Sequence, residues 1–343
     1  MENWRGGIWI FAVIAILSSS AKAEAETYEL VAPKHSSSES RAALRATTTT
    51  ASDTNSKIEL LKFDSKEDFE QAKLELSEAG ILWEKNSTFS GDVETSTLEF
   101  DLSAFDELLG NQWSLFNRGS AGLNTLAGGD VDAIRAWTIT EGGGRIYVVD
   151  SGVDPRARDL SDRIVNRFSA IDGKGPEDEN SHGTHVTSIA AAAQNTSGIM
   201  GMAPGAVEIV SVRMLDENNS GNTFTAVRAY ELILADIREY LGADPRRFAV
   251  VSNSWGGPEF SGSLQQAMQA IVGPRVLIIT SAGNDSNNND SQPYYPCSFT
   301  LANNLCVAAS NRSDALTNFS SYGRSSVHIM APGLQIYAAV PGE

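Results

Sequence analysis

Arg145-Ile146-Tyr147-Val148-Val149-Asp150-Ser151-Gly152-Val153-Asp154 is an apolar, β-branched run that ends in a carboxylate and a turn. Continuous rather than alternating hydrophobicity marks a strand buried on both faces, as in a parallel sheet covered by helices. Clefts of open α/β sheets lie at the C-terminal strand ends, where Asp150 falls. Downstream, Val276-Leu277-Ile278-Ile279-Thr280-Ser281-Ala282-Gly283-Asn284 repeats the pattern and ends in an amide. Between the two, Ser181-His182-Gly183-Thr184-His185-Val186-Thr187-Ser188-Ile189-Ala190-Ala191-Ala192 passes from a polar start into small residues. Small side chains let a helix lie close to other backbone, so this reads as a buried helix with a histidine in its first turn. That histidine is either packed in a core or a proton shuttle. An ordinary pKa of about 6.5 lets it take and give a proton near neutrality. A carboxylate, an imidazole and an amide at such element ends have the chemistry of an acyl-transfer site.

The same patterning extends through the rest of the chain. It predicts strands at 145–150, 163–168, 207–214, 248–254, 276–281, 305–310 and 327–330, with helices at 183–194, 223–241 and 262–272. The expected fold is therefore α/β, a mainly parallel seven-stranded sheet with helices on both faces. A chain of 343 residues can hold one such large domain and a small one. A net charge of −17 argues against nucleic acid or anionic lipid as a partner.

The N-terminal third reads differently. Residues 1–23 carry Arg5, an apolar run from Ile8 to Leu17 too short to span a bilayer, and Ala21-Lys22-Ala23 as a cleavage site. They are expected to be a signal peptide, leaving a secreted protein with no membrane contact after its removal. Residues 24–56, rich in Ser, Thr and Ala, are expected to be a flexible leader. From 57 to 109 a small α+β domain is expected. Strands are read at 57–63, 81–83 and 97–100, a helix opens at Ser65 with Phe69, Ala72, Leu76 and Ala79 on one face, and a second starts at Ser103. The two cysteines, Cys297 and Cys306, are either buried thiols or a disulfide. The secretory start and the short loop between them favour the disulfide, worth about 2–3 kcal/mol on a chain-entropy argument.

The Asp-Ser-Gly strand, His-Gly-Thr-His, Asn-Ser-Trp-Gly-Gly (253–257), Ser-Ala-Gly-Asn (281–284) and Ala-Pro-Gly (331–333) occur in an order that resembles the subtilisin-like serine proteases, or subtilases. The likeness runs from about residue 110 to the last. It implies that Asp150 orients His182, that His182 serves as general base and acid, and that the Asn284 amide donates to an oxyanion. One such donor is worth about 3–4 kcal/mol. Asp154 and Asp159 compete with Asp150 on residue type, but only Asp150 ends the strand. His185 is read as structural, and a zinc site on His182 and His185 lacks a ligand pattern.

The resemblance also implies that Ser220-Gly221-Asn222 and Ser254-Trp255-Gly256 sandwich a polypeptide substrate as an added strand. It implies a structural calcium ion held by Asp159, Asn195, the carbonyls of Ala193, Ser197 and Ile199, and Gln112, all oxygen donors suited to a hard cation. Residues 57–109 would be the propeptide, an intramolecular inhibitor of the cleft, making the protein a zymogen.

One part of the pattern is absent. The family's nucleophile sits in a Gly-Thr-Ser-x-Ala segment shortly after the Ala-Pro-Gly strand. Here Ala331-Pro332-Gly333 is followed by ten residues with no serine, and the sequence stops at Glu343. Ser320, Ser321, Ser325 and Ser326 precede the last strand and offer no substitute. The expectation is a fragment of a serine endopeptidase, inactive as it stands. The alternative is a non-catalytic subtilase-like binding or inhibitory protein.

Overall fold

The computed structural model describes residues 28–33, 48–50, 58–63, 65–78, 84–85, 88–91, 109, 111–117, 129–137, 139–140, 142–195 and 198–342. The expected signal peptide, the strand at 97–100 and the helix from Ser103 lie outside them.

The first elements are β1 (Tyr28–Pro33), β2 (Thr48–Thr50), β3 (Ile58–Phe63), α1 (Lys66–Glu78), β4 (Glu84–Lys85) and β5 (Thr88–Gly91). Strands β2-β3-β1-β4 form an antiparallel sheet in that order. This corrects the leader reading of 24–56, because β1 pairs with β3 over its whole length, from Tyr28↔Phe63 to Pro33↔Ile58. Two stretches of that expected leader, Thr48–Thr50 and Leu30-Val31, are β-branched or apolar, which suits an extended, paired backbone. A composition dominated by Ser and Thr hid them. The strand expected at 81–83 lies outside the described residues; next to it, β4 pairs Glu84 and Lys85 with Val31 and Leu30. Helix α1 forms as expected. The Ser65 hydroxyl accepts the Asp68 amide at 3.1 Å, and Phe69, Ala72 and Leu76 are buried with Leu61 and Phe63.

The large domain follows with α2 (Ala133–Trp137), β6 (Gly143–Asp150), β7 (Ile164–Ser169), α3 (His182–Ala191), β8 (Ala206–Arg213), β9 (Ser220–Asn222), α4 (Thr223–Ala243), β10 (Ala249–Asn253), β11 (Trp255–Gly256), α5 (Gly262–Gln269), β12 (Val276–Ser281), β13 (Asn304–Ser310) and β14 (Ile329–Pro332). Seven strands make one sheet in the order β14-β13-β12-β10-β6-β8-β7, and every neighbouring pair is parallel. The continuous apolar strands have the cause assigned to them. Along β6, Tyr147 and Val149 face a core built with α4 and α5, while Ile146 and Val148 face one built with α3. Helix α4 starts at a reciprocal cap: Asn222 accepts the Thr225 amide at 3.0 Å and Thr225 Oγ1 accepts the Asn222 amide at 3.1 Å.

On the α3 side, the half of the sheet carrying β10, β12, β13 and β14 is thinly covered. Val250, Leu277 and Leu305 are only partly buried there, and Ile329 on the edge strand is exposed. Cys297 and Cys306 form a disulfide that closes the loop before β13. No helix of the described residues is long and apolar enough to cross a membrane.

Candidate active site

The register of the sheet assembles the site. Val149 on β6 pairs with Asn253 on β10, and Asn253 with Thr280 on β12. One residue further along each strand lie Asp150, Ser254 and Ser281, all at the C-terminal edge of the sheet. Asp150 Oδ1 accepts from His182 Nδ1 at 2.6 Å, with both side chains 1% exposed. An ionised carboxylate can only accept, so the ring carries its proton on Nδ1 and Nε2 becomes its basic nitrogen. The Ser151 amide donates to the same Oδ1 at 2.7 Å, and the amides of Met214 and Leu215 hold the Asp150 carbonyl at 2.8 and 3.2 Å. Asp150 Oδ2 is buried without a hydrogen-bond partner among the described residues.

The competing acids are occupied elsewhere. Asp154 pairs with Arg156, whose hydrogen bonds hold its carboxyl below the usual carboxylate range. Asp159 accepts from Asn195 Nδ2 at 2.9 Å and from the Ile199 backbone amide at 3.1 Å. His185 is half-buried one turn along α3. Burial, and then the like charge of His182, push its imidazole down to about 4. Among the described residues no group of three or more His, Cys, Asp or Glu side chains could hold a metal. Asn284 follows β12 by three residues and is half-buried beyond Gly283, which takes a positive φ of 93°. A Cβ on Gly283 would meet the Tyr294 ring at 3.2 Å, and one on Gly256 would meet it at 2.4 Å. The Tyr294 ring therefore packs against both glycines.

The two expected substrate edges face a common strand. Strands β11 and β9 flank β5 in a three-stranded antiparallel sheet, with Trp255↔Gly91, Gly256↔Ser90, Ser90↔Ser220, Phe89↔Gly221 and Thr88↔Asn222. Trp255 Nε1 donates to the Val149 carbonyl at 2.9 Å, which ties β11 to the strand ending in Asp150. Glycine is needed at 221, where a Cβ would lie 2.9 Å from Leu215 Cδ2 and 3.0 Å from the Met214 carbonyl.

The residues named for calcium gather in part. Asp159 and Asn195 are bonded to each other, the Ala193 amide donates to the Asp159 carbonyl at 2.9 Å, and Gln112 exchanges hydrogen bonds with the Met200 backbone at 2.7 and 3.1 Å. Ser197 lies outside the described residues. The donor set fits a hard cation in type: one buried carboxylate, two side-chain amides and a loop whose Gly198 has a positive φ of 78°.

Sequence reading missed the loop before α3. Buried Arg213 donates to the carbonyls of Gly175 and Glu177 and to Glu179, bracing that loop. Asp178 within it accepts five hydrogen bonds. The signal for Asp178 was present as an acidic residue shortly before a helix start.

This fold and site define an α/β protein with an Asp-His pair at the sheet's C-terminal edge. The subtilase family model matches residues 142–341. Thermitase of Thermoactinomyces vulgaris is 38% identical over 62% of this chain and 71% of its own length. Subtilisin-like protease 2 of Plasmodium falciparum is 31% identical over 62% of this chain and 16% of its own, and subtilisin E of Bacillus subtilis (strain 168) 31% identical over 58% and 49%. A solved structure, a cold adapted subtilisin-like serine proteinase, is 27% identical over 58% of this chain and 66% of that one, with a TM-score of 0.46. The chain belongs to the subtilase family. It spans well under two thirds of several of these relatives, 16% in the Plasmodium protein.

Proposed function

We propose that this chain carries the acid, base and oxyanion parts of a secreted, subtilisin-type serine endopeptidase. The observation that carries the reading is the buried Asp150–His182 contact of 2.6 Å. Asp150 holds the Nδ1 proton and stabilises the imidazolium, and His182 Nε2 takes the proton of a serine hydroxyl and returns it to the leaving amine. Asn284 supplies the oxyanion donor. The family's Gly-Thr-Ser-x-Ala segment does not occur in the 343 residues, so no turnover is expected of them alone. Loss of that serine costs about six orders of magnitude in kcat.

The polypeptide substrate would lie extended between β9 and β11, held by backbone hydrogen bonds. Strand β5 supports a second element of the reading, that the N-terminal region inhibits in cis. It fills the substrate slot, and its Gly91 end pairs with Trp255, one residue from Ser254 and the catalytic edge. Asp159, Asn195, Gln112 and the carbonyls of Ala193, Ser197 and Ile199 would hold calcium, which would stiffen the loop after α3.

Reading the transcript past residue 343 tests the proposal. A Gly-Thr-Ser-x-Ala segment should follow, and the protein carrying it should hydrolyse casein. Asp150→Asn should then lower kcat about 10⁴-fold. A stop codon directly after Glu343, or activity indifferent to Asp150→Asn and His182→Ala, overturns the reading. For calcium, EDTA should lower the melting temperature and added calcium restore it. Indifference to chelator removes that site from the proposal.

A further inference from the structure

We propose that Asp178 is a positioning residue, a carboxylate that binds the loop after β6 to the first turn of α3 and thereby sets His182 on Asp150. It touches none of the reacting atoms. Its Oδ1 accepts from Ser151 Oγ at 2.8 Å, the Ser181 amide at 2.8 Å and the Asn180 amide at 3.1 Å. Its Oδ2 accepts from the Thr184 amide at 2.9 Å and Thr184 Oγ1 at 2.6 Å. A helix cap alone would need only the amides of the first turn. Here the same carboxylate also takes the hydroxyl of Ser151, the residue after Asp150.

The links close into a ring. Ser151 Oγ, donating to Asp178, accepts the Gly183 amide at 2.9 Å. Thr184 Oγ1, also donating to Asp178, accepts the Asp154 amide at 3.0 Å. Ser151 and Asp154, which follow Asp150, and Ser181 and Thr184, on either side of His182, are thus bound through one side chain or its direct partner. Ser151 and Thr184 are fully buried, so their hydroxyls lose these partners without replacement by water. Ser181, immediately before His182, has a positive φ of 94°. A non-glycine residue keeps that conformation only where its surroundings impose it, and the Asp178–Ser181 hydrogen bond does so. The negative charge also sits at the positive end of α3.

This inference deepens the reading of Asp150 and His182 as a catalytic pair, but its test needs no turnover. The His182 Nδ1 proton and ring tautomer are followed by ¹H and ¹⁵N NMR in the folded 343-residue chain. Asp178→Asn, which loses one acceptor oxygen, and Ser151→Ala, which leaves the cap in place, should each speed exchange of the Nδ1 proton about tenfold, the change expected from losing one buried hydrogen bond. The ring signals of His185 and His328 should stay in place. If both variants melt at lower temperature yet keep the His182 signals of the unaltered chain, Asp178 is a structural cap only and the proposal fails. If Asp178→Asn does not fold, Ser151→Ala decides alone. Failure here leaves the proteolytic reading standing, and absence of activity in a serine-bearing form leaves the NMR result standing.

Discussion

Gly183→Ala should prise the catalytic pair apart. Gly183 follows His182 in the first turn of α3, and an added Cβ would sit 2.0 Å from the Gly152 carbonyl oxygen and 3.0 Å from its carbon. Both are backbone, so no side chain can rotate away. Contacts below 3.0 Å are essentially never seen for a real Cβ, so helix and loop must separate by about 1 Å. Two hydrogen bonds cross that gap: Gly183 N to Ser151 Oγ at 2.9 Å and His182 Nδ1 to Asp150 Oδ1 at 2.6 Å. Stretching each by about 1 Å breaks the first, worth about 1 kcal/mol, and strips most of the second, worth about 2 kcal/mol as a bond to a charged group. The expected loss is about 3 kcal/mol, or a fall of about 6–12 °C in melting temperature for a domain of this size. Differential scanning calorimetry measures it, with the imidazole NMR signals as the local reading. Gly273→Ala is the control, because nothing lies within 4 Å of its added Cβ and its φ is not positive. That variant should stay within about 0.5 kcal/mol of the unaltered protein. A Gly183→Ala protein that melts with the control and keeps its His182 signals would refute the claim that α3 and the β6 loop are held at contact distance.

Three other outcomes follow from the same geometry. Replacing Cys297 and Cys306 by alanine opens a loop of sequence separation 9, which should cost about 2.5 kcal/mol and lower the melting temperature by about 5–10 °C in thermal scans. The depressed pKa of about 4 at His185 means that the unfolded chain takes up a proton first as pH falls. Its contribution is complete above about pH 6.5 and is lost toward pH 4, by at most about 3 kcal/mol, and His185→Gln should flatten that part of a stability–pH curve. Phe89→Pro removes a donor from the strand between β9 and β11, so amide exchange at 220–222 and 255–256 should quicken about tenfold, and unchanged exchange would mean that β5 does not protect the slot.

How far these features could be read from sequence depended on the range of the interaction behind them. The five inner strands of the large sheet were legible because burial on both faces forces a run such as Ile146 to Val149 to be apolar throughout, and that constraint is local. Asp150 was legible for the same reason, as the polar residue that ends such a run. Helix α4 was legible at 223–241 from its patterning, while the Asn222–Thr225 cap that starts it was not read. Strand β1 was not legible, since its partner β3 lies across a serine- and threonine-rich stretch and pairing of that kind leaves no periodic trace. The insertion of β5 between β9 and β11 was further out of reach. The edges at 220–222 and 254–256 were reached through the family resemblance, but the segment between them is chosen by register in space.

The clamp at Asp178 shows why a site can be recognised before it is understood. A carboxylate and an imidazole identify a reaction type by residue alone, yet an imidazole on a helix and a carboxylate on a strand are 32 residues apart in the chain. Their 2.6 Å separation has to be maintained by something that contacts both elements. Gly183 allows the approach, because any side chain there would strike Gly152. Ser151, Thr184 and half-buried Asp178 then fix the distance, and the two hydroxyls are fully buried and so cannot exchange their partners for water. The residues flanking the pair therefore carry a geometric requirement as strict as that on the pair itself: small at 183, hydroxyl at 151 and 184, carboxylate at 178.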